Sequence, residues 1–208
     1  GGKFATEIVP VEVPGRKGPT IVDTDEGPRA DTTAESLAKL RPAFPSAAKS
    51  NPSLSVTAGN ASSLNDGAAA VVVVSEAYAR EHGLTILGRI TGYATGAGDP
   101  RDLFFAPITA VNNLMKKAGT TIGHYDLIEA NEAFASQSLA DGNGLGWDAS
   151  RVNVNGGAIA LGHPIGASGT RVLVTLLHAL ADRKLRTGLA TLCLGGGDAV
   201  ALSVERVD

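Results

Sequence analysis

The sequence predicts an α/β fold: a mostly parallel five-stranded sheet with one antiparallel strand, flanked by helices. Three observations carry this. From residue 85 onward, short apolar runs alternate with stretches of helical periodicity in the order β-α-β-α-β-α-β-β, the pattern of a parallel sheet covered by helices. The last two apolar runs are separated only by a glycine turn, so they must pair antiparallel. Glycine makes up 26 of 208 residues and is concentrated where apolar runs end, the place where open α/β sheets gather ligands.

Taken in order, residues 1–57 are loop-rich and punctuated by Pro10, Pro14, Pro19, Pro28, Pro42, Pro45 and Pro52. Only a short strand around Ile8–Val13 and a helix around Thr33–Leu40, capped by Asp31 or Thr32, are expected there. Ala68–Val74, with four consecutive valines, predicts a strand buried on both faces. A short helix follows near Glu76–His82, with Gly83 as C-cap. The five strands of the main sheet are expected at Ile86–Tyr93, Leu127–Glu129, Val152–Val154, Leu189–Leu194 and Ala199–Val204. Helices are expected at Pro107–Ala118, Glu132–Ala140 and Gly166–Leu185, the last with Leu173, Leu176, Leu177 and Leu180 at helical spacing.

Composition narrows the function classes. With 43% hydrophobic and 19% charged residues, a packed domain is expected and disorder is not. A net charge of -3 without basic runs argues against nucleic acid or a membrane surface as partner. The single cysteine, Cys193, excludes an internal disulfide and disfavours a zinc site. The chain opens on Gly1-Gly2-Lys3 and its one methionine is Met115, so a cut, nicked or processed piece of something longer is expected.

Three segments at strand ends hold reactive groups. In Glu129-Ala130-Asn131-Glu132-Ala133-Phe134, Asn131 can hold a water or donate to a carbonyl, or can simply cap the helix. The segment Asn153 to Gly169 carries five glycines from Gly156 onward and places His163 before a helix, with Pro164 in its first turn. The positive end of that helix favours a neutral imidazole; the alternative is a phosphate-binding turn against which His163 packs. In Cys193-Leu194-Gly195-Gly196-Gly197-Asp198, three glycines strip side chains from the surface beside the sulfur and expose N–H groups that suit an oxyanion. Cys193 there is either a thiolate nucleophile or base, its pKa lowered by His163 or local dipoles, or an inert small hydrophobe. A thiol, an imidazole and an amide beside bare backbone suit acyl or thioester chemistry.

These segments resemble the thiolase family, enzymes that make or cleave 3-ketoacyl-CoA. Asn131-Glu132-Ala133-Phe134 matches its N-E-A-F motif, Gly156 through Gly169 its glycine-histidine motif, and Cys193 through Gly197 its C-x-G-G-G motif. Thr57 through Ala68 is a fourth match. The resemblance implies a thiolase-like layered fold, in which residues 1–64 end the loop domain on the CoA side, residues 65–84 end the N-terminal domain, and residues 85–208 form the C-terminal domain. It further implies that Cys193 is the acid/base at the α-carbon of acetyl-CoA. His163 would activate the nucleophilic cysteine and join Asn131 and its water in one oxyanion hole. The Gly195 N–H would belong to a second hole. For coenzyme A, Arg29 would lie near the adenine or ribose phosphate, with Ser36, Phe44, Ala58, Ser62, Leu64, Ala133 and Phe134 along the path. Arg29 and Ser36 read equally well as ordinary surface-loop residues.

Thiolases form their acyl-enzyme on a second cysteine in the first half of a chain about twice as long, and this sequence has one cysteine. The resemblance therefore implies a C-terminal half of an acetyl-CoA C-acetyltransferase that needs an N-terminal half. On that reading Val71–Val74 belongs to a sheet whose other strands lie elsewhere. A non-catalytic CoA-binding or assembly subunit is the alternative, as is a ketoacyl synthase relative, though Asn131 and Cys193 favour thiolase. Coenzyme A is expected as substrate, with no metal, in a cytoplasmic or organelle-matrix homodimer or tetramer. Three departures from the family pattern stand out: Ser63 for a common glycine, a longer Pro45–Ser53 segment, and Asp198 after the glycines, where it would raise the Cys193 pKa if it faced the thiol.

Overall fold

The computed structural model describes residues 2–51 and 54–207. The end of the expected longer segment, Pro52 and Ser53, lies outside the described residues. The early region is exposed and built of short pieces. A ribbon of β1 (Val11–Val13) and β2 (Thr20–Val22) pairs antiparallel with Val11 opposite Val22. Helix α1 (Ala34–Ala38) is capped by Thr33 rather than by Asp31 or Thr32, because Thr33 and Ser36 cap each other reciprocally. Helix α2 (Pro45–Ser50) follows, with proline in its first turn.

The four-valine run departs from expectation. Val71–Val74 forms no strand, and Val72 and Val73 are 85% and 70% exposed. The physical reason is the absence of pairing: an apolar extended segment becomes a strand only when another strand takes its N–H and C=O groups. Helix α3 (Glu76–Glu81) then begins at its Ser75 cap.

The main sheet is mixed and has four strands among the described residues. They are β3 (Arg89–Ala97), β4 (Leu127–Ala130), β5 (Thr187–Leu194) and β6 (Asp198–Glu205), in the spatial order β3-β6-β5-β4. Strands β4 and β5 pair parallel and β6 is antiparallel to both its neighbours, so β3, β4 and β5 point one way and β6 alone runs against them. The expected mostly parallel sheet with one antiparallel strand is observed, with four strands among the described residues instead of five. The expected strand at Val152–Val154 reduces to a single parallel bridge between Val152 and Ile128. At Asn153 the chain turns into a left-handed conformation (φ 47°). Its amide then takes the place of a peptide group, donating to the Ala130 carbonyl at 2.8 Å and accepting from the Ala130 N–H at 2.9 Å. The edge of β4 is thus satisfied by a side chain instead of a strand.

Helices cover the sheet on two sides. On one lie α4 (Ala106–Ala118) and α5 (Ala135–Leu145), whose Ala110, Val111, Leu114 and Leu145 pack with Ile128, Leu189, Ala199 and Ala201. On the other lies α7 (Ser168–Arg183), whose Val172, Leu176 and Leu180 pack with Leu127, Ala190 and Val204. Each fully buried leucine contributes about 1.5–3 kcal/mol. Strand β3 approaches α4 so closely at Gly96 that an added Cβ would lie 2.7 Å from the Thr109 carbonyl carbon, which only glycine permits. Between α5 and α7 runs the short helix α6 (Ala158–Leu161). Helix α7 starts at Ser168, so Pro164 precedes the helix instead of opening it.

Candidate functional site

The carboxyl ends of β4 and β5 bring the three reactive groups to one edge. Asn131 follows β4 directly, and its N–H donates to the Thr191 carbonyl of β5 at 3.0 Å, two residues before Cys193. Asn131 does not cap a helix, because α5 begins four residues later after Phe134. It is buried instead, with its Nδ2 3.4 Å from His163 Nε2. The Asn131 Oδ1 is buried and has no hydrogen-bond partner among the described residues.

His163 is held from both sides. Its N–H donates to the Ser63 carbonyl at 2.9 Å. Its Nδ1 lies 2.6 Å from the Ser168 hydroxyl, which donates onward to the Pro164 carbonyl at 3.1 Å. With its one proton committed to that carbonyl, the hydroxyl can only accept from the ring. The imidazole proton therefore sits on Nδ1, and Nε2 offers a bare lone pair toward the site. Burial, assisted by the Arg171 charge, pushes His163 below the ordinary histidine range, so the ring is neutral at neutral pH.

Cys193 is the penultimate residue of β5 and is half-buried. Burial and the Asp141 charge push its thiol upward, against the expected lowering. Asp198 is exposed on the hairpin and is not among the causes of that shift. The following turn bends through Gly196 and Gly197 at φ 91° and 96° and is tied back by the Gly98 N–H to the Gly197 carbonyl at 2.9 Å. Gly195 is exposed, with open space where a Cβ would stand.

The expected coenzyme residues separate into two groups. Ser62, Ala133 and Phe134 are brought together: Ser62 donates through both N–H and hydroxyl to the Ala133 carbonyl at 3.1 Å, and Ala61 bridges Phe134. Phe134 also meets Phe104 edge-to-face at 5.1 Å. Leu64 is 86% exposed on the same loop, one residue beyond the Ser63 that holds His163. The loop is clamped over the histidine segment at Gly162, whose φ of 87° and lack of Cβ leave room for the Asn65 side chain. The others lie farther out. Ala58, Phe44 and Arg29 are exposed. Ser36 spends its hydroxyl on the α1 cap, accepting from the Thr33 N–H at 3.0 Å and donating to the Thr33 carbonyl at 2.8 Å. Helix α1 still sits beside the loop, since a Cβ on Gly59 would run into Leu37 and Leu40.

Sequence reasoning missed a buried ionic layer beneath these groups. Glu129, at the penultimate position of β4, is buried with no hydrogen-bond partner for either oxygen among the described residues. The Arg171 guanidinium on α7 stands 3.7 Å away. Burial outweighs that charge and raises the Glu129 carboxyl. Glu132 accepts from Asn153 Nδ2 and the Ile159 N–H, and Glu7 accepts from the Thr175 hydroxyl at 2.9 Å. The available signal was a glutamate inside a short apolar strand and an arginine on the apolar stripe of a helix. Among the described residues no group of three or more His, Cys, Asp or Glu is placed to hold a metal, and no helix is long and apolar enough to cross a membrane.

Known proteins are similar to this chain in sequence and in fold. Residues 84–206 match the family model of the thiolase C-terminal domain, and residues 1–77 match that of the thiolase N-terminal domain. The acetyl-CoA acetyltransferase of Pseudomonas aeruginosa is 60% identical over 207 residues, covering 99% of this chain and 51% of its own. An acetyl-CoA acetyltransferase of Escherichia coli is 53% identical over 207 residues. The crystal structure of the Bacillus anthracis acetyl-CoA acetyltransferase superposes with a TM-score of 0.93 at 46% identity, covering 99% of this chain and 51% of that one. Human mitochondrial 3-ketoacyl-CoA thiolase in complex with CoA superposes at 0.87 and 40% identity, covering 99% of this chain and 50% of that one. The chain spans about half the length of the curated relatives it matches. The α/β architecture, the motif order and these likenesses agree: the chain belongs to the thiolase family.

Proposed function

We propose that this chain is the C-terminal half of an acyl-CoA C-acyltransferase, an acetyl-CoA C-acetyltransferase, and that it works with an N-terminal half bearing the acyl-accepting cysteine. The observation that carries this is the contact of Asn131 with the bare Nε2 of His163, at the end of the strand beside Cys193. The division into residues 1–64, 65–84 and 85–208 belongs to this reading. A surface suited to the other half supports it. Val71–Val74 is exposed and unpaired, and a groove of about 340 Å³ lined by Tyr93, Val172, Leu173, Leu192 and Leu202 opens on the α7 side of the sheet.

In the acyl-transfer half, His163 Nε2 takes the proton of the partner half's thiol. The thiolate attacks the thioester carbonyl, and the departing CoA sulfur takes the proton back. In the condensation half, the Cys193 thiol gives its proton to His163 Nε2; the resulting thiolate removes the α-proton of acetyl-CoA, and the carbanion attacks the acyl-enzyme carbonyl. The acyl-enzyme sulfur leaves and takes the proton from His163 Nε2, yielding acetoacetyl-CoA and restoring both thiols. His163, now carrying a proton on Nε2, and a water held by Asn131 bind the enolate oxygen; the unpartnered Asn131 Oδ1 is what such a water would donate to. The Gly195 N–H faces the second developing oxyanion. Coenzyme A runs past Ser62, Leu64, Ala133 and Phe134 toward Phe44, Ala58, Ser36 and Arg29. The bacterial relatives favour a cytoplasmic enzyme, and the family a homodimer or tetramer.

The test is denaturing intact-mass analysis of native material together with thiolysis of acetoacetyl-CoA by CoA. A second cysteine-bearing half with turnover is expected; native material that contains both halves and lacks turnover overturns the reading. Within the assembled protein, Ser168→Ala removes the acceptor that fixes the His163 tautomer. A neutral hydrogen bond is worth about 1 kcal/mol, so kcat is expected to fall about fivefold. The KM for CoA stays unchanged, as measured by steady-state thiolysis.

A further inference from the structure

Behind Cys193 lies a carboxyl that the proposed chemistry leaves unused. Asp141 is fully buried. The buried side chains of α5 are Gln137, Asp141 and Leu145, four residues apart and therefore one inward stripe. Strand β5 places Leu189, Thr191 and Cys193 on one face by alternation. Leu145 and Leu189 belong to one core cluster, so the stripe and that face of β5 lie on the same side of the sheet. Gln137 ties the stripe to the site. Its Nε2 donates to Asp141 Oδ2, and its Oε1 accepts from the Ala133 N–H at 3.1 Å. The other Asp141 oxygen, Oδ1, is buried with no hydrogen-bond partner among the described residues.

The charged groups on the surrounding elements are committed elsewhere. Asp141 is the one charged residue of α5, and β5 carries none besides the titratable Cys193. On the 3-10 helix Pro100–Phe105, Arg101 pairs with Asp99, and Asp102 is exposed. On α4, Lys116 and Lys117 stand in the last turn, and Lys117 donates to the Tyr93 carbonyl of β3. Glu132 is held by Asn153 and Ile159, and His163 by Ser168. Among the described residues, no cation contributes to the shift of either Asp141 or the Cys193 thiol. Burial raises the Asp141 carboxyl to about 7, and Asp141 is the second cause, after burial, of the raised thiol.

We propose that Asp141 is a positioning residue for Cys193: its carboxylate, held by Gln137 on the buried stripe of α5, opposes negative charge on the sulfur and keeps the proton on the thiol. The catalytic meaning of this rests on the thiolase reading. A thiolate that is harder to form is the stronger base once formed, which suits removal of a weakly acidic α-proton better than nucleophilic attack. The inference thus assigns this chain's cysteine to the base role by its surroundings.

The experiment uses the assembled protein and follows alkylation of Cys193 by iodoacetamide across neutral to alkaline pH, read as the modified Cys193 peptide by mass spectrometry. The thiolate is the reacting species, so the pH midpoint reports the thiol. Asp141→Asn keeps the shape and the acceptor for Gln137 while removing the charge. Its midpoint is expected to fall by about one pH unit, making alkylation about tenfold faster at a fixed pH below the midpoint. Asp141→Leu removes the charge without an amide and is expected to move the midpoint the same way. A role confined to packing changes the extent of labelling without moving the midpoint. An unmoved midpoint in either folded variant overturns the inference. Thiolysis by the parent sample is measured alongside. A moved midpoint without turnover supports the coupling and overturns the thiolase reading; turnover with an unmoved midpoint does the reverse.

Discussion

In the assembled protein, Cys193→Ala is expected to lower turnover in both thiolysis and condensation by about a thousandfold, the usual size of a lost general acid–base contribution. It should leave acyl transfer to the partner half's cysteine nearly intact. The separation follows from position. Cys193 sits on β5, outside the hydrogen-bonded set of Asn131, His163 and Ser168 that serves the first half-reaction. Removing the sulfur truncates a half-buried side chain and leaves that set in place. Mixing the variant with acetyl-CoA should still add one acetyl group, seen as an intact-mass increase on the other half. Retention of turnover to within tenfold of the parent would sink the assignment of Cys193 as base. Loss of the acetyl adduct as well would show that Cys193 serves acyl transfer.

The order of elements from residue 85 onward was legible because apolar runs, a proline in the first turn of α4 and glycines after α4 and before β6 all speak locally. What escaped was pairing. Val152–Val154 looks like any short strand, yet the Asn153 side chain takes the hydrogen bonds that a fifth strand would have taken. Val71–Val74 looks like a buried strand because its composition answers to a sheet, and none of the described strands pairs with it. The candidate site was legible in part because Asn131, His163 and Cys193 lie where apolar runs end, the last two among glycines. Ser168, Glu129, Arg171 and Asp141 were not singled out. Each acquires its meaning from a neighbour distant in sequence or across a turn, as Arg171 does from Glu129, and single residues carry no periodic signal.

Stability of the assembled protein is expected to fall between about pH 4.5 and pH 8, and Glu129→Gln is expected to remove the largest single part of that fall. The folded protein holds the Glu129 proton up to about 8 against a reference of 4.5. Between those values the unfolded chain loses the proton and the folded chain keeps it, so the carboxyl favours unfolding increasingly as pH rises. Each unit is worth about 1.4 kcal/mol, giving a total on the order of a few kcal/mol that is complete above the folded value. Glutamine has nearly the same shape and cannot ionise, so the variant should match the parent near pH 5 and exceed it above pH 8. Urea midpoints at the two ends measure this, and an unchanged slope would refute it. A reduced slope remains in the variant because Glu7 and Asp141 are raised in the same direction. A neutral Glu129 leaves the Arg171 charge uncancelled, and that charge is one of the two causes that hold His163 neutral. Ionising Glu129 would offset the Arg171 charge and bring the imidazole closer to protonation. The stability lost to burying an acid in β4 is thus linked to the bare Nε2 on which proton transfer depends. Glu129→Gln should therefore gain stability at high pH and keep the parent's activity at neutral pH.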